Sequence, residues 1–159
     1  MSTPKKAAHL NTHSKIMRWQ RSIDGVTYTI SSDKDALDTA LIIKFLTQEA
    51  YWAKGRVAQA ILEMLEHSLC FGLYRGDTQV GFARVVTDYY SFAYLADVFV
   101  IKQERGRGLG TWLVETILNT PPCSRVKTMM LFTKDAHGLY ARFGFAEPED
   151  TSRIMFRRA

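Results

Sequence analysis

Apolar and polar positions along the chain change period several times, and each change marks an element. Val26, Tyr28 and Ile30 alternate with Thr27 and Thr29, which predicts a strand over Val26–Ser31. Ser31-Ser32-Asp33 is a turn with helix-start chemistry. Leu37, Ala40, Leu41 and Phe45 then follow helical spacing, up to a break at Tyr51–Gly55. A second helix is expected from near Arg56, because Val57, Ala60, Ile61, Met64 and Leu65 form one apolar stripe. Strands are expected near Leu69–Tyr74 and Gln79–Thr87, joined by hairpin-type Arg75-Gly76-Asp77-Thr78. A third apolar strand covers Phe92–Ile101. A glycine-rich turn, Arg105–Gly110, opens a helix with Leu109, Trp112, Leu113 and Ile117 on one stripe, and Pro121-Pro122 stops it. Val126–Phe132 reads as a strand, and Asp135 as the cap of a short helix from Ala136 to Phe143. Gly144 falls where a left-handed C-terminal residue belongs, and a last strand is expected over Arg153–Phe156. The order is β-α-α-β-β-β-α-β-α-β-β, without repeats or an internal linker: one mixed α/β domain.

Composition narrows the class. The chain has 159 residues, 47% hydrophobic and 23% charged, which suits a single folded domain and excludes wholesale disorder. Phe92–Ile101 is too short for a membrane helix, which needs about 20 apolar residues, and it carries Asp97. Met1–Arg21 has no apolar secretory core, so a cytoplasmic location is expected. Cys70 and Cys123 are too few for a disulfide framework or a zinc site, and no metal is expected. The net charge of +5 sits in residues 1–21, where Lys5, Lys6, Lys15, Arg18 and Arg21 meet no acid. The remaining 16 basic and 16 acidic residues cancel. Residues 1–21 are therefore expected as a basic, flexible leader and 22–159 as the folded domain. A neutral body argues against nucleic acid as partner, and nothing suggests a membrane.

The strongest local chemistry is the strand, glycine turn and helix of Leu95–Leu118. Closely spaced glycines let the backbone approach a ligand and aim successive N–H groups into one concavity. The helix start adds unpaired N–H groups and a positive dipole end. Lys102, Arg105 and Arg107 stand beside it, so the segment reads as an anion site; the alternative is a tight connection without a ligand. No G-x-x-x-x-G-K-[ST] string is present, and Gly110 comes one position too early for G-x-G-x-x-G. The spacing that fits is R-x-x-G-x-G: Arg105, Gly108, Gly110.

With that motif and the later segment Leu139-Tyr140-Ala141-Arg142-Phe143-Gly144-Phe145, the chain resembles the GNAT superfamily of acyl-CoA-dependent N-acetyltransferases. The likeness covers roughly Val26–Phe156. It implies a single mixed-sheet domain with a splayed central strand that binds coenzyme A. Arg105, Gly106, Arg107, Gly108, Leu109, Gly110 and Thr111 would hold the pyrophosphate. Val98, Phe99 and Val100 would pair with the pantetheine arm as an added strand. Tyr140 would sit near the thioester sulfur. Thr133 stands where the superfamily frequently has asparagine.

The implied reaction is acetyl transfer from acetyl-CoA to an amine of a small molecule or peptide, by direct attack in a ternary complex. Neither motif contains a cysteine, which fits direct attack. An attacking amine must lose protons and the leaving thiolate should gain one. Tyr140 is the candidate acid, or else a core tyrosine. Asp97, the only acid in an apolar strand, is a candidate base or half of a structural ion pair, since a buried unpaired carboxylate is costly. His137, one helical turn before Tyr140, is a further candidate base or acceptor contact, or a surface histidine. Tyr51 and Trp52, between the first two helices, are candidate acceptor contacts; Tyr89, Tyr90, Phe92 and Tyr94 crowd the strand bend. A non-catalytic acyl-CoA sensor on the same fold is the alternative function. The acceptor and the oligomeric state, a homodimer included, stay open.

Overall fold

The structure is a computed structural model that describes residues 15–158. Its centre is a six-stranded sheet in chain order: β1 Arg18–Ile23, β2 Val26–Ser31, β3 Leu69–Arg75, β4 Thr78–Thr87, β5 Phe92–Val100 and β6 Thr128–Met130. All neighbours are antiparallel except β5 and β6, which run parallel. Helices α1 Thr39–Gln48 and α2 Ala58–Glu66 cover one face; α3 Leu109–Asn119, the short α4 Pro121–Ser124 and α5 His137–Ala141 complete the chain. Ile42, Phe45, Leu46, Ile61 and Leu65 meet Phe82 and Phe99 in one core. Leu109, Trp112, Leu113 and Ile117 meet Ile30, Phe71, Val85 and Leu95 in the other. α3 buries the stripe its periodicity displays; α1 instead buries Ile42, Phe45 and Leu46 with Ala40 exposed, and α2 buries Ile61 and Leu65 while Val57, its N-cap, is exposed.

Several expectations change. Residues 1–14 of the leader lie outside the described residues, and its end, from Arg18, is strand β1. Trp19 packs on Phe71 with ring centroids 6.2 Å apart, and Arg21 lies 5.0 Å over the Trp112 ring. α2 begins at Ala58, two residues after Arg56. β6 is three residues rather than seven. Among the described residues no strand forms at 153–156; Thr151–Arg153 is a 3-10 turn and Met155 lies almost fully in solvent, so that segment has no sheet edge to join. Asp135 does not cap α5: the Thr133 hydroxyl accepts the Ala136 N–H at 3.0 Å, and Asp135 is engaged elsewhere.

Two irregularities position the site. β6 stops opposite Tyr94, so β5 from Leu95 onward has no strand on that side. In β4–β5 pairing, Phe82 faces Phe99 but Arg84 faces Ala96, so Asp97 and Val98 together oppose Ala83. That is a β-bulge, and Asp97 takes the left-handed conformation (φ 54°) that a non-glycine residue seldom adopts.

Candidate functional site

After β5 the chain makes a 3-10 turn, Lys102–Glu104, then the glycine loop, then α3. Gly106 and Gly108 have φ of 79° and 75°, where a Cβ would be strained. A Cβ at either would meet nothing within 4 Å, so the loop encloses open space. Gly108 is the N-cap of α3 and supplies no side-chain cap. The backbone N–H groups from Gly106 to Thr111 meet no acceptor among the described residues. Six adjacent donors at a helix N-terminus form a cradle for an anion.

The loop is pinned from below by Glu104, a residue absent from the sequence-level candidates. Its buried carboxylate accepts from the Tyr28 hydroxyl at 2.7 Å and from Arg75 Nη1 at 2.9 Å, with Arg107 Nε at 3.5 Å. The Tyr28 hydrogen bond, helped by Arg75 and Arg107, holds Glu104 below the ordinary carboxylate range despite burial. The same bond, with burial, raises Tyr28. Arg105 turns back and donates Nε to the Val100 carbonyl at 2.8 Å, tying the loop to β5. Its guanidinium thus braces the loop against β5.

The bare side of β5 leads straight to this loop. The Ile101 N–H donates to Val80, so by alternation Phe99 hydrogen-bonds toward β4 while Val98 and Val100 turn their backbone groups to the open edge. The Phe99 ring stacks on Phe45, centroids 3.8 Å apart, which makes it core. Of the three expected strand contacts, Val98 and Val100 present backbone to the gap, the Val100 carbonyl already accepting from Arg105.

Asp97, at the bulge, is nearly inaccessible and fully engaged. Trp52 Nε1 donates to Oδ1 at 3.1 Å and Arg56 Nη1 at 2.7 Å; Arg84 Nε donates to Oδ2 at 2.9 Å. Arg84 is buried and gives its other edge to Ser68. Asp97 is thus one half of a buried ion pair with Arg84, joined from the other side by Arg56.

Tyr51 and Trp52 lie edge-to-face at 5.2 Å, each about half exposed. The Tyr51 hydroxyl donates to Asp135 Oδ1 at 3.1 Å and accepts the Lys134 N–H at 3.2 Å, bridging the α1–α2 segment to the turn before α5. Tyr140 sits one turn further, its ring against Phe145. Its hydroxyl has no hydrogen-bond partner among the described residues. Burial, reinforced by Tyr51 and Asp135, pushes it up to about 12, so it holds its proton near neutrality. His137 is brought to no member of this group: it is exposed, 4.0 Å from Glu147. A cavity of about 930 Å³, lined by Trp19, Leu69, Tyr89 and Pro121 among others, shares no residue with the loop and touches the Asp97 cluster only through Ser68.

The profile of the Acetyltransferase (GNAT) family matches residues 39–145, more than half of the chain. The chain belongs to this family. A Gibberella zeae protein whose name places it provisionally among acetyltransferases is 31% identical over 150 residues, 81% of this chain and 82% of that protein. A crystal structure from Xanthomonas campestris pv. campestris, assigned provisionally to the GNAT family, has 41% identity and a TM-score of 0.80, over 83% of this chain and 93% of that one. A Clostridium acetobutylicum protein, named a predicted acetyltransferase and crystallised with acetyl-CoA, shares the fold at TM-score 0.56 and 12% identity, over 91% and 96% of the two chains. The expected GNAT fold is therefore the fold observed, and this protein is an acetyltransferase. Among the described residues no helix is long and apolar enough to cross a membrane.

Within that GNAT frame, Glu104, Arg56, Arg84 and Asp135 escaped sequence reading. One signal was available for Arg84. It is the lone charge in apolar Val80–Val86, one strand away from Asp97, the lone charge in Phe92–Ile101.

Proposed function

We propose that this acetyltransferase moves an acetyl group from acetyl-CoA to an amine of a small molecule or peptide, by direct attack in a ternary complex. The observation that carries the reading is the run of six unsatisfied N–H groups at Gly106–Thr111, continuous with the bare edge of β5. These residues fit the coenzyme: the cradle suits a pyrophosphate, and Val98 and Val100 suit the pantetheine amides. When bound, acetyl-CoA supplies the activated thioester carbonyl and the leaving thiolate. Leu109 contributes its backbone N–H, and Thr111 adds one on the first turn of α3. Arg107 and Arg105 add positive charge at the rim. Tyr140 would donate its proton to sulfur; its raised phenol and the lack of a hydrogen-bond partner among the described residues support that role. Tyr51 and Trp52 flank the acceptor. Asp97 orients Trp52 and Arg56 and is a positioning residue. His137 is left as an outer acceptor contact. Cys70 and Cys123 are buried, and burial pushes both thiols up to about 11, which supports direct attack over an acyl-cysteine.

A thermal-shift series tests this reading. Acetyl-CoA and CoA should raise the melting temperature, whereas NAD should not. Gly108→Ala should weaken the acetyl-CoA effect at least tenfold in apparent affinity while circular dichroism stays unchanged. Thiol release over an amine library then identifies the acceptor. No shift with acetyl-CoA would remove the loop from the proposal.

A further inference from the structure

We propose that the acceptor amine carries a carboxylate, and that Arg56 binds it. The inference rests on the acetyl-transfer reading above and names the substrate class of that site. Its starting point is an imbalance of charge at the bulge. One carboxylate, Asp97, lies between two guanidinium groups. Arg84 is the buried partner: its side chain is 6% exposed, with Nε on Asp97 and Nη1 on Ser68. Burial of that charge requires a counter-ion, and Asp97 is the one in contact. Arg56 is then the surplus cation. Its Nη1 rests on Asp97, but Nε and Nη2 meet no acceptor among the described residues, and the side chain is only 25% exposed. The free Nε–Nη2 edge is the fork that grips a carboxylate with two parallel hydrogen bonds.

The neighbours do not cancel this charge. Lys134 lies over the Tyr51 ring, and the Tyr51 hydroxyl donates to Asp135. Across the connected group of Tyr51, Trp52, Arg56, Arg84, Asp97, Lys134 and Asp135, three cations face two carboxylates. The surplus lies on Asp97, the residue before Val98 on the stretch of β5 that has no β6 partner. Trp52 shares the Asp97 carboxylate with Arg56 and offers a half-exposed ring as an apolar flank.

Two consequences follow for an acceptor. A polyamine or a lysine-rich peptide would bring a second cation against Arg56 and pay that repulsion. An amine with a carboxylate a few bonds away gains a paired charge in a site partly closed to water. The cationic surroundings also favour the neutral, attacking form of the amine. That matters here because both oxygens of Asp97 are occupied, and Asp135 already accepts from the Tyr51 hydroxyl.

The test compares matched acceptors that differ only in the acid: free leucine, phenylalanine and glutamate, their amides and methyl esters, and spermidine as the opposite case. Acetyl-CoA binding is first established by thermal shift; its absence would overturn the acetyl-transfer reading and this inference with it. Thiol release should then give kcat/KM for the acids at least tenfold above their amides, with spermidine lowest. Arg56→Gln should shrink the acid preference to within about threefold while acetyl-CoA affinity holds, and Arg56→Lys should restore part of it. Amides or spermidine turned over as fast as the acids would overturn the inference while leaving acetyl transfer standing. So would an undiminished acid preference in Arg56→Gln. If none of these amines reacts, calorimetry of the CoA-loaded protein with N-acetyl amino acids and their amides decides the same point. Tenfold tighter acid binding supports the Arg56 site, and equal affinity overturns it. The wild-type comparison requires no variant, so a poorly folding Arg56 mutant leaves the question decidable.

Discussion

Asp97→Asn separates an anchoring carboxylate from a proton-accepting one. The wild-type carboxylate is 1% exposed and takes Arg84, itself 6% exposed, on one oxygen and Arg56 and Trp52 on the other. The amide keeps one acceptor oxygen, so the loss is the charge rather than every hydrogen bond. Asparagine also tolerates the left-handed backbone at this position, so little strain is added. Arg84 is left as a buried cation facing a second guanidinium. Breaking a buried pair from one side costs about 3–5 kcal/mol. For a domain of this size, about 2–4 °C of melting temperature corresponds to each kcal/mol, so the variant should melt roughly 6–20 °C lower. Circular-dichroism melts measure this directly. Adding Arg84→Met should recover part of the loss, because it removes the stranded charge; a double-mutant cycle quantifies the coupling. The contrary result is specific. A variant that melts within about 2 °C of wild type, binds acetyl-CoA normally and loses turnover by about 10²–10⁴-fold would make Asp97 the base and end the anchoring argument.

Other outcomes follow from the same contacts. Tyr140→Phe removes a hydroxyl without a protein partner, so the melting temperature should stay within about 2 °C while turnover falls by about 10²–10⁴-fold; full turnover would make the tyrosine a packing residue. Glu104→Gln should cost about 1.5–3 kcal/mol in a denaturant titration, because Tyr28, Arg75 and Arg107 lose a charged acceptor, and should weaken acetyl-CoA in calorimetry. Stability should also decline on the alkaline side. Burial raises the Cys70 and Cys123 thiols to about 11, and Tyr74 and Tyr140 to about 12. The unfolded chain releases these protons from about pH 8.5 for thiols and about 10 for phenols. The stabilisation is thus complete below about pH 8.5 and lost as pH rises toward about 12; pH-jump melts that stay flat across that range would contradict it.

Where periodicity was strong, the chain was legible. The Ile61–Leu65 part of the α2 stripe, the Gly76-Asp77 hairpin and the Arg105–Gly110 turn fold as their residues indicate, whereas Val57 falls outside the helix as its exposed N-cap. β1 was not legible because its alternation is filled by Arg18, Gln20 and Arg21, as befits an edge strand with one solvated side. β6 was overextended because Leu131 and Phe132 continue its apolar run, while pairing ends at Met130. The site divides in the same way. Glycine spacing is local, so the left-handed glycine loop could be read. The partners of Asp97 come from the segment before α2 and from β4, and the anchor of the loop comes from β2 and β3; such pairings exist only once the sheet is assembled.

The single extra residue at Asp97 also sets the phase of everything after it. Leu95 and Val98 both pack on the α3 side of the sheet although three positions separate them, and Phe99 lands on the α1–α2 side. In an unbroken strand Leu95 and Phe99 would share a face. Removing one residue here would exchange the two faces, pull Phe99 off Phe45 and rotate the Val98 and Val100 amides from the gap into β4. Strand length is therefore held more tightly than side-chain identity: an alanine could stand at several of these positions, but the count of residues between Leu95 and Val100 cannot change by one.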